Sequence, residues 1–507
     1  KANLNVKRER KKESYLISSI ENRIVTLRIL FFFLHIEDLL ENKALRMRNN
    51  TANINELENK KISKLIWQYA IPAIVGTMVN ALYNIIDRVY IGHTPGLGDH
   101  AIGGLGIALP LMNITAAVGM LVGAGSASRI SIFLGKGDKE TAEKIIGTSF
   151  LMTLILTGTT VVLLYIFLEP ILHLIGATEE TYPYAHEFMA YLLPGYIFLA
   201  MCFNFNSMMR ASGYPKKAMY TMLIGVVANI IIAPIFLFWF KMGIKGAAIA
   251  TIISMFIGLC FVMHHFMNRN SMLRLRPSNM KMDWKIIWSV ASIGLSPFMI
   301  QVASSTVVFL VNNQLREYGG NVAIEAYAIA NTLVMIIIMV MVGLTQGMQP
   351  IVGYNYGARK ISRVKEALNY TIKVGVSIGA IGLILGMLIP QLSVQVFNPS
   401  AELADASVKA LRIITVALPL VGFQIVITNF FQCIGMAGKS IFLSLTRQFI
   451  FLIPALFILP PIFELNGVWA SLPLADVLAT VLTGILFAMQ IKQFKKMEAN
   501  HVISSQQ

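Results

Sequence analysis

Asp87 is the residue from which chemistry can start. It stands in YNIIDRVYIG (83–92), within a stretch that is otherwise almost wholly apolar over 64–91. A carboxylate inside a bilayer is costly unless it is paired, hydrated or used. Burial disfavours its charged form and a nearby cation favours it, so such a group can switch between neutral and charged states near neutral pH. Tyr83 lies four residues earlier, on the same helical face. Arg88 is adjacent, but successive side chains on a helix point about 100° apart, which works against a direct ion pair. Three more charges fall within apolar stretches. Glu325, in AIEAYAIAN, reads either as an acidic cavity residue or as a solvated carboxylate at the outer membrane edge. Arg447 and Asp476 read either as a buried salt bridge or as cavity charges. Met299, Met335, Met339 and Met341, with Phe298, Phe309, Tyr327 and Tyr354, offer soft and flat apolar surface. Such surface suits lipophilic cations, and it equally suits packing or lipid contact.

Other chemistries lack their residues. There is no GxxxxGK[ST] phosphate loop, no HExxH and no GxSxG elbow, and the eight histidines are scattered. Cys202, Cys260 and Cys433 lie in apolar runs without a CxxC. The sequence therefore predicts neither an enzyme nor a cofactor.

The elements that must hold these residues are read from composition and loop charge. Apolar types make up 56% of the 507 residues and charged types 13%, with a mean hydropathy of +0.65. A soluble domain carries roughly 25% charged residues, so a helical membrane protein is expected. The net charge of +16 reads as basic loops facing anionic lipid rather than as a nucleic-acid surface. Residues 1–63 hold 13 Lys/Arg and 8 Asp/Glu, and their one apolar run, ILFFFLHI, is too short to span. They read as a basic cytoplasmic tail, with Met47 a candidate start. Twelve apolar spans follow, near 64–91, 101–126, 145–170, 188–210, 218–240, 245–267, 287–315, 323–348, 367–391, 407–432, 440–463 and 467–490. Lys and Arg crowd the loops after the even-numbered spans: Arg129, Lys136, Lys139 and Lys144; Arg210, Lys216 and Lys217; Arg359, Lys360, Arg363 and Lys365. The 268–286 segment is basic too, whereas the odd-numbered loops are poor in basic residues. Both termini are expected inside. The implied divisions are an N-lobe over 64–267, a linker at 268–286, a C-lobe over 287–491 and a tail at 492–507.

The halves repeat. AIGGLGIALPL (101–111) aligns with AIEAYAIANTL (323–333) at an offset of 222, as do Gly135 with Gly357 and Gly213 with Gly435. Ile71-Pro72 aligns with Ser296-Pro297 at 225, and Gly246 with Gly467 at 221. Six spans per half give both halves the same orientation, an arrangement common in secondary transporters. Pro72, Pro110, Pro194, Pro234, Pro297, Pro419 and Pro454 lie inside spans, where they free backbone carbonyls and permit kinks.

Together Ile71-Pro72, YNIIDRVYIG, AIGGLGIALPL, GLTQGMQPIVGYNYGARK (343–360) and TRQFIFLIPALFILP (446–460) resemble the multidrug and toxic compound extrusion (MATE) family, in its bacterial multidrug branch. The resemblance covers about 64–490. It implies an all-α membrane protein of twelve transmembrane helices in two six-helix lobes, related by a pseudo-two-fold axis and forming a V around a cavity. It also implies a monomer in a bacterial inner membrane that exports amphipathic, mostly cationic compounds by antiport with H⁺ or Na⁺. A flippase for lipid-linked glycans is the alternative within the superfamily. It is disfavoured because, Arg447 apart, the spans are poor in basic residues that would hold pyrophosphate.

By the resemblance, Tyr83 and Asp87 belong to an N-lobe proton or cation site together with Asn206, Asn229 and Thr251, whose oxygens suit a hard cation. One departure matters. Family members often carry an Asp four residues after the span-five Asn, but here that residue is Ala233, in NIIIAP (229–234). The expectation is a site with Asp87 as its sole carboxylate, tilted from Na⁺ towards H⁺. The acidic groups that some members place in spans seven and ten are also missing: those regions read QVASS (301–305) and Phe423-Gln424. Met299, Gln301, Glu325, Tyr327, Met335 and Gln424 are the expected substrate-cavity residues.

Overall fold

The computed structural model describes residues 54–92, 98–397 and 399–505, without the side chains of 54–55, 80–89, 91–102 and 496–505. The basic tail expected over 1–63, Met47 included, lies outside the described residues as far as residue 53. No strand occurs among the described residues. Span one is Ile62–Gly92, span two Gly98–Gly135 and span three Lys139–Ile166. Span four runs from Tyr182–Leu192 through a 3-10 turn at Leu193–Gly195 into Tyr196–Ala211. Span five, Pro215–Pro234, ends in a π turn at Ile235–Trp239, and span six is Gly243–Met267. Span nine is Ile361–Leu388, and span ten joins Ala401–Thr415 to Leu418–Cys433 with a bend of 49°. Span eleven is Ala437–Leu445, a π segment at Thr446–Leu452 and Ile453–Ile458. Span twelve is the part of Pro460–Ser505 beyond a break at Glu464.

Spans seven and eight lie in one helical run, Trp284–Gly357. Its 74 residues would extend about 110 Å if straight, several times the roughly 30 Å hydrocarbon core. The run folds at Gly320, where φ is +64° and ψ −158°. That backbone is open to glycine and nearly closed to other residues. Among the described residues ten helices are long and apolar enough to cross a membrane, the bent pair adds one, and the fold at Gly320 divides one into two, which accounts for the twelve predicted spans.

Local chemistry sets several span starts. Asp138 caps span three, its carboxylate accepting Thr141 N at 2.9 Å and Thr141 Oγ1 at 2.6 Å. Asp283 caps span seven by accepting from the amides of Lys285 and Ile286. Each half has its own apolar core. One packs Leu105, Leu111, Leu172, Phe188, Tyr196 and Leu237. The other packs Val311, Leu315, Leu411, Leu456 and Trp469. Large apolar side chains such as Val162, Ile166, Ile384, Leu388, Val481 and Ile485 are left on the outside, as lipid contact requires.

The repeat reappears as geometry. A Cβ added to Gly135 would lie 2.0 Å from the Tyr354 carbonyl oxygen, and one added to Gly357 would lie 2.0 Å from that of Ile132. Both residues of each pair are shifted by 222, so spans two and eight cross about a pseudo-two-fold axis. Span one meets span eight at Gly347 against Ala70 and Gly343 against Ile74, and span seven meets span two at Gly125 against Val290 and Gly294 against Leu121. These contacts pair 70 with 290 and 74 with 294. The structural register of spans one and seven is therefore 220, not the 225 at which the prolines align. The backbones meet without intervening side chains, so contact geometry rather than the prolines sets equivalence.

Hydrogen bonds join the halves in the same region: Ser128 Oγ to Gln432 O at 2.8 Å, Gln349 Nε2 to Ala124 O at 3.2 Å and Arg129 Nε to Ser289 O at 3.4 Å. Two peripheral fastenings lie beside them. The short helix Ile54–Asn59, which precedes span one, is held by residues at the start of span nine and the end of span eight. Arg363 Nη2 donates to Leu57 O at 3.3 Å and Lys60 O at 2.7 Å, Asn355 Nδ2 donates to Leu57 O at 3.2 Å, and Lys360 pairs with Glu58. The segment that precedes span seven is held by span three: Arg276 Nε lies 3.2 Å from Glu143 Oε2, and Thr148 Oγ1 donates to Lys281 O at 2.9 Å. Every interlobe bond just described lies in the half of the bundle towards the basic loops after spans two and eight.

Candidate functional site

Spans four, five and six enclose a partly open cleft. Its walls include Cys202, Asn206, Gly225, Thr251, Ser254 and Gly258. Small residues make the space, since a Cβ on Gly225 would find nothing nearer than Ser254 O at 3.7 Å. Asn229 and Thr251 come together: Asn229 Nδ2 donates to Thr251 Oγ1 at 3.3 Å, with both residues buried. Asn229 Oδ1 is buried with no hydrogen-bond partner among the described residues. Such an orphaned acceptor is rare in a folded interior and calls for an explanation. Ala233, one turn further on, is packed in the apolar core, so no second carboxylate stands beside Asn229.

Asn206 shares the cleft wall but belongs to a different network. Its Nδ2 donates to Ala218 O at 2.6 Å, and its Oδ1 accepts from the Arg210 guanidinium, which also reaches Ser207 Oγ at 3.1 Å. An amide oxygen that faces a fixed positive charge is a poor cation ligand. Arg210 was not singled out in the sequence. It looked like one more basic loop residue at a span end, yet it is 6% exposed. The side chains of Tyr83 and Asp87 lie outside the described residues. Their helix is set against span five at both ends of that stretch: a Cβ on Gly76 would meet Met222 Sδ at 2.7 Å, and Tyr90 OH donates to Ile230 O at 3.3 Å.

The expected substrate-cavity residues divide. Glu325 and Met335 are exposed, and Glu325 forms no ion pair among the described residues. Met299 and Gln301 are half-buried. Tyr327 is buried in the C-lobe core, and Gln424 is buried with its Oε1 unpartnered among the described residues. Arg447 and Asp476 form the ion pair that one of their two readings required, with Nε 2.5 Å from Oδ1. No group of three or more His, Cys, Asp or Glu side chains converges on a metal-sized site among the described residues.

Known proteins agree with this architecture. The MatE family model matches twice, over residues 72–235 and 297–458, one match in each repeat. The multidrug export protein MepA of Staphylococcus saprophyticus is 27% identical over 426 residues, which is 84% of this chain and 93% of its own. That of Staphylococcus haemolyticus is 27% identical over 425 residues, with the same two coverages. Among solved structures, a multidrug resistance MATE family transporter of the MOP superfamily in its outward-facing conformation superposes with a TM-score of 0.82 at 25% identity, covering 87% of this chain and 98% of the other. A MATE transporter in a bent conformation superposes at 0.83 and 25% identity, covering 88% and 98%. With twelve helices in two crossed lobes and one family match per lobe, the chain belongs to the MATE family of multidrug efflux transporters.

Proposed function

We propose that this protein is a proton-coupled antiporter of a bacterial inner membrane that exports amphipathic organic cations. The observation that carries this reading is the orphaned Asn229 Oδ1, buried against Thr251 beside a cleft of mostly apolar walls. A buried acceptor without a donor is complete only when a proton-bearing group or a cation arrives. Asp87, on the helix packed along span five, is the carboxylate that would bring the charge change. With Ala233 in place of a second carboxylate, a single exchangeable proton fits better than tightly held Na⁺.

Transport then needs two states of different affinity. The lobes are fastened on the side of the basic loops, which the charge bias assigns to the cytoplasm. This state would therefore be closed inward and open outward, ready to release substrate and take a proton from outside. Protonation of Asp87 would favour return to the inward-open state, where substrate and proton exchange.

The test uses proteoliposomes loaded with a fluorescent lipophilic cation, with a pH gradient or a Na⁺ gradient imposed on wild type and Asp87→Asn. Movement driven by the pH gradient in wild type, and reduced at least about a hundredfold in the variant, is expected if the carboxyl carries the coupling. Movement driven by Na⁺ alone would refute proton coupling. No movement under either gradient would count for a lipid-linked substrate instead.

A further inference from the structure

Spans ten, eleven and twelve are the repeat counterparts of the spans that enclose the N-lobe cleft, and they build something different at the same place. Cys202, Gly225 and Met255 line the cleft. At offsets of 222, 222 and 221 their counterparts are Gln424, Arg447 and Asp476. Contacts support these registers. Asn206 bonds to the carbonyl of Ala218, and Ser440 Oγ bonds to that of Thr428 at 3.0 Å, the same two positions shifted by 222. Gly246 and Gly467, 221 apart, each pack against the backbone that precedes their own span, at Phe236 O and Leu459 O. Where the N-lobe leaves space, the C-lobe places an ion pair and a buried amide.

The pair is lopsided. The Asp476 side chain is 9% exposed and that of Arg447 29%. The carboxylate is the more enclosed of the two partners. Asp476 occupies Nε, and the two terminal nitrogens of Arg447 form no hydrogen bond among the described residues. Arg447 stands on the π segment Thr446–Leu452, a local unwinding frequent at functional sites. Of the three, Gln424 has a buried side-chain atom without a partner, Oε1, among the described residues. A pair that served only to tie spans eleven and twelve together would be expected to use the fork of the guanidinium, since bidentate geometry is its strongest mode. Here one nitrogen holds the acid and the fork is left over.

We propose that Arg447, oriented by Asp476, is an anion-recognising subsite that accepts the carboxylate of amphipathic zwitterions. The proposal rests on the export reading above and adds a substrate class to it. The planar fork matches a carboxylate, and Asp476 is a positioning residue that fixes the plane of the guanidinium. A lipid phosphate shares this oxyanion chemistry, and the test separates the two sources.

The probes are one rhodamine dye in two forms, the ethyl ester (a cation) and the free carboxylate (a zwitterion). Binding to the purified full chain in detergent is read by fluorescence polarisation, so the result does not depend on coupling or flux. The variant is Arg447→Gln with Asp476→Asn, which removes both charges together and leaves no lone buried charge. Loss of a charge-assisted pair predicts about tenfold weaker binding of the carboxylate dye, with the ester changed less than about twofold. Arg447→Lys, which keeps the charge but loses the fork, is read the same way should the double variant fail to fold. Equal loss of both dyes, or loss of neither, in a folded variant overturns the proposal. Arg447-dependent binding of added phosphatidylglycerol, without discrimination between the dyes, assigns the site to lipid and also overturns it. An ester that fails to bind wild type, while the carboxylate dye still binds through Arg447, counts against cation export and for the subsite.

Discussion

Asn229 shows how a residue can be costly to stability and still be kept. A buried acceptor without a partner costs about 1–3 kcal/mol. Asn229→Leu keeps the same branching of side-chain heavy atoms without the stranded oxygen, so it is expected to leave the melting temperature in detergent unchanged or higher while export falls at least about tenfold. Fluorescence-detected thermal unfolding beside cation flux makes the check. A drop in melting temperature with flux intact would mark the Asn229–Thr251 bond as structural. Asn229 was legible in the sequence through the resemblance of its span to the family, as an amide midway along an apolar stretch. The sequence did not make visible that Asn206 is claimed by Arg210, because Arg210 had already been explained as a loop charge. Arg447 and Asp476 stood out by the cost of a charge in lipid, but their spans are separate stretches of chain, and only the fold brings them within 2.5 Å.

At the scale of elements, the count of spans and the repeat were legible because bilayer thickness and duplication both write themselves into hydropathy. The interior of spans was not. Pro194, Pro234, Pro419 and Pro454 fall at the 3-10 turn, the π turn, the bend of span ten and the end of the second π segment, whereas Pro72, Pro110 and Pro297 run through continuous helix. Proline permits a break, and the packing decides whether one occurs. Glycines set the lobe crossing. An added Cβ at Gly294 would lie 1.6 Å from the Leu121 carbonyl oxygen, backbone against backbone, with no flexible atom to yield. Gly294→Ala is therefore expected to destabilise this arrangement relative to one in which the lobes part there. The measurement is maleimide labelling of single cysteines placed at 70 and 121, in membranes. An increase of severalfold over the Gly294 background is expected, and unchanged labelling would show that the crossing re-forms around the methyl group.

For the whole molecule, the two fastenings form a pair that the repeat predicts only after the fold is known. The segment before span one is clasped by spans eight and nine, and the segment before span seven by span three, so each lobe's leading segment is tied to the opposite lobe. Both sets of bonds must break if the lobes part on that side. In the first clasp Arg363 and Asn355 hold backbone carbonyls, which do not titrate, and its acidic group is Glu58, paired with Lys360. The hydrogen bond from Lys360 holds the Glu58 carboxyl below its usual range. A group depressed in the folded state contributes fully above its unfolded pKa near 4.3, and its contribution is lost only as pH falls through the lower folded value. Titration of Glu58 therefore leaves the clasp unchanged between pH 6 and pH 7, and the clasp is not expected to sense the proton proposed to drive transport. Removing it should act on the conformational balance alone. Arg363→Leu, which strips the Lys60 carbonyl of its donor and leaves Leu57 O to Asn355 alone, is expected to raise labelling on the basic-loop side by severalfold at pH 7 and to do so equally at pH 6. Glu58→Gln, an exposed pair screened by salt, is expected to have a smaller effect that disappears in high salt. Double labelling experiments with Gly294→Ala would then show additive shifts if clasp and crossing are independent barriers. An Arg363→Leu effect that grew between pH 7 and pH 6 would instead mean that the clasp is read by the same proton that Asp87 is proposed to carry.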